Sequence, residues 1–169
     1  MVGALVTGSL LGAWLVHDAE EWITLPGWSQ RTASRHPGLP RPLVAMFCMS
    51  RLETTIAIGV VGLVIAAAAG AGLSTGGRSA FFQLALLAFG LHSVVHVLQS
   101  ALARGYTPGV VTAVLVVAPY SWWAWLQIRH ARIVNVAGAS WASAIALFAL
   151  VVLGGRLIAL LVSRLRPTA

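Results

Sequence analysis

Five long apolar stretches, separated by short polar or glycine- and proline-containing segments, make up most of the chain. Each stretch has about 20 residues or more, the length that an α-helix needs to cross the hydrocarbon core of a bilayer. The pattern predicts an all-α protein: a polytopic transmembrane bundle of about five spanning helices in a single integral membrane domain, residues 1–169. The predicted helices cover approximately residues 2–25, 43–73, 79–103, 108–128 and 138–163.

Proline and glycine set the predicted helix boundaries. Pro26 and Gly27 are expected to end the first helix, because proline lacks the N–H that a helix interior needs. A polar loop over residues 26–42 follows. Pro108 is expected in the first turn of the fourth helix, where proline is favoured.

Composition and charge agree with a membrane protein. Only 9% of the residues are charged and 59% are hydrophobic, whereas soluble domains have about 25% charged residues. The net charge of +7 comes from arginines in loops and at helix ends, so we interpret it as contact with lipid headgroups and not with nucleic acid. The arginine excess predicts a cytoplasmic loop 26–42, a cytoplasmic C-terminus and an N-terminus outside.

Three of the four acidic residues stand together in the first apolar stretch, in the run His17-Asp18-Ala19-Glu20-Glu21. Ionisable side chains inside a bilayer are costly and are usually functional. The run therefore needs a cation, a bound metal or a proton as compensation. At 100° per residue, His17, Glu20 and Glu21 share one helix face, while Asp18 points away from it.

Two further helices are expected to bring ionisable groups to the same depth. Glu53 lies near the cytoplasmic start of the second helix, and His92 and His96 lie in the cytoplasmic half of the third. The two histidines share a face with Gln99 and have the i, i+4 spacing with which a helix binds one metal ion. The predicted metal ligands are His17, Glu20, Glu21, Glu53, His92 and His96.

Mixed histidine and carboxylate ligands suit Fe or Zn, with Mn possible, in one or two ions. The favoured hypothesis is an intramembrane di-iron oxidoreductase or hydroxylase that acts on a lipid-soluble substrate, with Glu20 and Glu21 as catalytic residues. A zinc hydrolase with His17, His92 and His96 as ligands and a glutamate base is the alternative. A metal-free proton or cation relay in a transporter and a metal-free isomerase or cyclase with a glutamate acid also remain open.

Structural interpretations stand beside these hypotheses. The acidic run could be an interfacial helix end, and the two histidines of the third helix could be hydrogen-bonded within a packed bundle. Glu53 could pair with Arg51 or with an arginine of the first loop. Arg156 could snorkel to the interface or neutralise a carboxylate, and Tyr106 could anchor the interface. The small-residue stretch Ala66 to Gly72 is a candidate contact for a homo-oligomer.

The run from His17 to Glu21 resembles the signature of the HXXEE family of small bacterial membrane proteins. The resemblance extends to the segment with His92 and His96 and to the segment Arg104 to Gly109. It implies a multi-pass protein of the bacterial inner (cytoplasmic) membrane in which His17, Glu20 and Glu21 are the signature positions. It implies no particular reaction.

Overall fold

The computed structural model describes residues 2–35, 48–135 and 140–165, and these residues form five helices and no β-strand. The helices are α1 (Val2–Arg35), α2 (Arg51–Ser74), α3 (Ala80–Ala103), α4 (Val110–His130) and α5 (Ser140–Leu165). The predicted all-α bundle is confirmed. By length and composition, α2 to α5 each contain a stretch that could cross a membrane, and α1 is not among these candidates in the described part of the chain.

The first helix does not end where the sequence predicts. α1 continues through Pro26 to Arg35, so the predicted end near residue 25 and the loop assignment of residues 26–35 are wrong. Proline at position 26 has no N–H for the carbonyl oxygen of Trp22, four residues earlier. Arg51 Nη1 of α2 lies 3.5 Å from that oxygen, so a neighbouring helix compensates for the missing donor. Residues 36–42 of the predicted loop lie outside the described residues.

The second helix starts later than predicted. Residues 48–50 are not helical, and residues 43–47 lie outside the described part of the chain. Ser50 is the N-cap of α2: its side chain accepts a hydrogen bond from Glu53 N at 3.2 Å, and its N–H donates to Glu53 Oε2 at 3.0 Å. This reciprocal capping box satisfies two backbone donors and sets the start of the helix.

The fourth helix contains an irregular turn. Its first residues, Val110–Thr112, are α-helical, Ala113–Val117 form a π-helical turn, and Ala118–His130 are α-helical again. Pro119 is the second residue after the π turn and has no N–H, a recognised cause of local helix irregularity. π turns inside helices often occur at functional sites.

At one end of the bundle, hydrogen bonds of Gln83 connect two segments that lie between helices. Gln83 is fully buried; its Nε2 donates to Gly77 O at 2.9 Å and to Ile133 O at 2.8 Å, and its Oε1 accepts from Asn135 N at 2.8 Å. These bonds join the turn between α2 and α3 to the segment after α4. The buried core lies nearby, with Phe82, Leu86, Leu10 and Val117 among its members. The histidines and acids of α1 and α3 lie toward the opposite end of the bundle.

Candidate metal centre

Four of the six predicted ligands meet between α1 and α3: His17, Glu21, His92 and His96. One ligand atom from each lies within 4.8 Å of the others. His17 and Glu21 are one turn apart on α1, and His92 and His96 are one turn apart on α3. Residues four apart lie on the same helix face, so each helix presents two groups to the other. We call these four residues the His/Glu cluster.

Distances inside the cluster suit ligands of a single ion. His92 Nε2 and His96 Nε2 are 2.9 Å apart, and His96 Nε2 is 3.2 Å from Glu21 Oε1. Two ligand atoms that each lie about 2.0–2.1 Å from Zn²⁺, at angles of about 90–110°, are about 2.9–3.4 Å apart. The ring of His17 stands edge-on to the rings of His92 and His96, with centroids 5.0 and 4.9 Å away.

His17 has one nitrogen in a hydrogen bond and one without a partner. Its side chain is fully buried. Nδ1 lies 2.9 Å from Thr112 Oγ1, whereas the buried Nε2 has no hydrogen-bond partner among the described residues. Buried polar atoms are normally satisfied, so Nε2 is the nitrogen that is left for a ligand.

Aromatic rings and one glycine enclose the cluster. The Phe148 ring of α5 lies 5.5 Å from the ring of His92, and the Phe89 ring lies 6.1 Å from that of His17. Gly109 has φ 84°, and a Cβ added there would lie 2.6 Å from His96 Cε1 and 3.1 Å from Glu21 Cγ. Glycine is therefore required both by the left-handed backbone and by the closeness of the cluster.

Glu20 lies beside the cluster and not in it. Its Oε1 accepts a hydrogen bond from the Tyr106 hydroxyl at 2.8 Å, and its Oε2 accepts from Thr112 N at 2.8 Å and from Thr112 Oγ1 at 2.6 Å. Burial, together with the bond to Glu20, raises the pKa of the Tyr106 hydroxyl above its usual value. Tyr106 therefore stays protonated at neutral pH and acts as the donor.

Thr112 is the residue of this site that the sequence did not reveal. It contacts both His17 and Glu20, yet in the sequence it is one hydroxyl residue near the start of an apolar helix. Only its closeness to Pro108 and Gly109, in the segment that resembles the family, could have drawn attention to it.

Glu53, which the sequence predicts as a ligand, is held elsewhere. Its Oε2 lies 3.1 Å from Arg156 Nη1 and also accepts from Ser50 N, and Ser163 Oγ donates to its Oε1 at 3.2 Å. Among the described side chains its ion-pair partner is Arg156 of α5 and not Arg51; Arg41 of the first loop lies outside the described residues. The carboxylate of Glu53 is occupied by its own helix cap and by this ion pair, so the structure does not bring it to the His/Glu cluster.

A family model described as "Protein of unknown function with HXXEE motif" matches residues 9–124. The matched region is more than half of the chain and includes the whole His/Glu cluster, Glu20, Tyr106 and Thr112. No curated protein and no solved structure matches the chain. Both the match and its extent show that the chain belongs to the family of proteins with the HXXEE motif.

Proposed function

We propose that the protein is an intramembrane metalloenzyme that binds one divalent ion, with Zn²⁺ as the first candidate, through the three histidines of the His/Glu cluster, with Glu21 beside the ion. Its reaction is the hydrolysis of an ester or amide bond in a lipid-soluble substrate. The observation that carries the proposal is the meeting of three imidazoles and one carboxylate within 4.8 Å of one another, on facing turns of two helices.

The donor set favours a borderline transition metal ion. Imidazole nitrogens suit Zn, Fe and related ions, whereas Cu(I) sites use thiolate or thioether sulfur. Catalytic zinc sites commonly have three protein ligands and an open position for water. The imidazoles of His17, His92 and His96 supply such a set, which leaves the carboxylate of Glu21 beside the open position.

One ion fits the surroundings better than two. A second ion would need further carboxylate ligands. Glu53 is paired with Arg156, and Glu20 accepts three hydrogen bonds from Tyr106 and Thr112. Each of these acids would have to give up its present partners to become a ligand.

A Zn²⁺ ion at this position would lower the pKa of a bound water toward about 7 and supply the nucleophile for hydrolysis. Glu21 would accept the proton of that water and return it to the leaving group. Water adds to the carbonyl carbon, the bond to the leaving oxygen or nitrogen breaks, and an acid and an alcohol or amine are released. The side chain of Glu21 is 18% exposed, whereas that of His17 is fully buried, so a substrate would approach the cluster from the side of Glu21.

The depth of the site favours a substrate that partitions into the bilayer. His96 and His92 lie seven and eleven residues before the end of α3 at Ala103, which corresponds to about 10 and 16 Å along the helix axis. A substrate must reach this depth between apolar helices. Tyr106 is 46% exposed and lies between α3 and α4, at the end of the bundle that is closer to the cluster.

A di-iron oxidoreductase or hydroxylase is the second candidate, and Glu20 is the observation in its favour. Glu20 directly precedes Glu21 in the sequence, and both lie near the start of α4: Glu20 is hydrogen-bonded to Thr112, and Glu21 lies beside Gly109. If Glu20 turned away from Thr112, it could supply the additional carboxylate that a pair of ions needs.

Elemental analysis of the full-length protein, purified in detergent without chelator, tests the proposal. We expect about one zinc per chain, lost in His92→Ala and His96→Ala because each removes one of the ligands. His130→Ala is the matched control, since His130 is exposed at the end of α4, and should keep the metal.

The outcomes separate the candidates. Two irons per chain would favour the di-iron enzyme. A wild-type protein that takes up no Zn²⁺, Fe²⁺ or Mn²⁺ when each is supplied would refute the metal site and favour the proton or cation relay. Equal metal contents in His96→Ala and His130→Ala would refute the assignment of the ligands.

A further inference from the structure

We propose that Thr112 is a positioning residue of this centre: it connects the carboxylate of Glu20 to the ring of His17 and holds that ring in the tautomer whose Nε2 is free to bind an ion. The part of this inference that concerns ion binding rests on the proposed function. The hydrogen-bond chain it invokes is independent of any ion.

Counting protons determines the tautomer. The Thr112 hydroxyl has one proton, and its oxygen lies 2.6 Å from Glu20 Oε2 and 3.4 Å from Gly109 O. The proton goes to the nearer, charged acceptor. The hydroxyl oxygen can then only accept from His17 Nδ1, 2.9 Å away, so the Nδ1 of a neutral His17 carries the ring proton and Nε2 has the lone pair.

Three donors point at Glu20, which makes it the acceptor at the end of the chain. These are the hydroxyls of Tyr106 and Thr112 and the backbone N–H of Thr112. A carboxylate that accepts several hydrogen bonds is stabilised in its charged form. Glu20 therefore does not compete with Thr112 by donating a proton of its own.

The start of α4 explains why a glutamate of another helix performs this role. The N-cap of the first turn is Gly109, which has no side chain to cap the free N–H groups. Glu20 of α1 accepts the N–H of Thr112, the third residue of the helix, as an N-cap side chain normally would. A negative charge is also favourable at a helix N-terminus.

The two adjacent acids of the signature thus have different tasks. Glu21 faces His96 at 3.2 Å, whereas Glu20, one residue earlier, faces Thr112. A histidine ligand that donates its second N–H to an oriented acceptor is a general feature of metal sites, and loss of that acceptor lowers metal affinity about 10–100-fold.

Thr112→Val and Thr112→Ser test the inference as a matched pair, since valine keeps the shape without the hydroxyl and serine keeps the hydroxyl. Zn²⁺ affinity would be measured on the full-length protein by competition with a chelator. We expect a loss of about 10–100-fold in Thr112→Val and recovery close to the wild-type value in Thr112→Ser. Equal affinities of Thr112→Val and the wild type would overturn the inference and leave the proposed metal site standing.

A second measurement does not need an ion. The ¹⁵N chemical shifts of the His17 ring in the metal-free protein report which nitrogen carries the proton. We expect Nδ1–H in the wild type and in Thr112→Ser. In Glu20→Ala the Thr112 hydroxyl is free to donate to Nδ1, so the proton should move to Nε2.

This second arm decides the question if Thr112→Val does not fold or if the wild type binds no metal. Nε2–H in the metal-free wild type, or an unchanged tautomer in Glu20→Ala, would refute the role of Thr112. A wild type that binds no metal but has the expected tautomers would refute the proposed function alone.

Discussion

The carboxylates of Glu21 and Glu53 are both mostly buried in an apolar bundle, but their neighbours differ. Glu53 has an arginine at 3.1 Å, a serine hydroxyl and the N–H of its own helix cap. Glu21 has the imidazole of His96 at 3.2 Å and, around it, two further histidines. The first carboxylate is neutralised by a permanent cation, whereas the second is surrounded by groups that can bind one.

The contrast separates a structural acid from a candidate functional acid. Arg156 also donates to Cys48 O at 3.0 Å, so the pair with Glu53 ties α5 to the start of α2 and to the segment before it. In the His/Glu cluster, three imidazoles come within 5.0 Å of one another by ring centroid without a comparable permanent charge pair. A bound ion would supply the positive charge beside Glu21, whereas Arg156 already supplies it beside Glu53.

Replacement of Arg156 should have the largest effect on stability. Arg156→Met removes the cation that lies 3.1 Å from the Glu53 carboxylate. Removal of one partner of a fully buried pair costs about 3–5 kcal/mol, and we expect a smaller loss here because both side chains keep some exposure. The double change with Glu53→Gln should restore much of the loss, because no charge is then left buried. Unfolding of the purified protein in detergent would measure both.

Metal content provides the control for this experiment. It should stay at the wild-type level in Arg156→Met, since neither residue of the pair belongs to the His/Glu cluster. A loss of metal as complete as in His96→Ala would mean that the two regions are not independent.

Gly109→Ala should damage the cluster and the backbone together. Alanine at φ 84° is strained by about 1–2 kcal/mol, and its Cβ would meet the ring of His96 and the side chain of Glu21. We expect a loss of Zn²⁺ affinity on the order of tenfold, as for disturbed ligand positions elsewhere.

Gly76→Ala is the matched control for this substitution. Gly76 also has a positive φ, 61°, but a Cβ there meets nothing within 4 Å. It should lose similar stability and keep its metal affinity. If both variants lost affinity equally, backbone strain and not contact with the cluster would be the cause.

Tyr106→Phe should have the smallest effect. It removes one of the three hydrogen bonds to Glu20, which costs about 0.5–1.5 kcal/mol, and leaves Thr112 in place, so metal affinity should fall only a few-fold. A loss as large as that of Thr112→Val would contradict the assignment of Thr112 as the direct link to His17.

The difference in stability between the wild type and Tyr106→Phe should depend on pH, because the pKa of Tyr106 is raised. The folded protein favours the neutral phenol more than the unfolded chain does, so the contribution of Tyr106 to stability is fully present below its unfolded pKa, about 10. It is lost as the pH rises through the folded value. The stability difference between the wild type and Tyr106→Phe should therefore shrink above about pH 10.

Several parts of the fold could be predicted because they depend on local patterns. The apolar lengths predicted the number of helices that the described residues form, and the i, i+4 spacing placed His92 beside His96 on one face. The end of α1 could not be predicted, because the contact of Arg51 with the Trp22 carbonyl oxygen, which Pro26 leaves without its helical donor, is made by another helix. The sequence indicated that Arg156 could neutralise a carboxylate, but it did not identify Glu53 as that carboxylate, because only the packing of α5 against α2 brings the two residues together.

The amino-acid sequence by itself determined that this is an all-helical membrane protein with acids and histidines on particular helix faces, because helix length and the angle between neighbouring residues are local properties. Only the tertiary structure decided which of those groups belong together. Glu20, Glu21 and Glu53 are the same chemical group in similar apolar surroundings. Their roles differ because contacts between helices determine which group lies beside each carboxylate: a hydroxyl at Glu20, imidazoles at Glu21 and an arginine at Glu53.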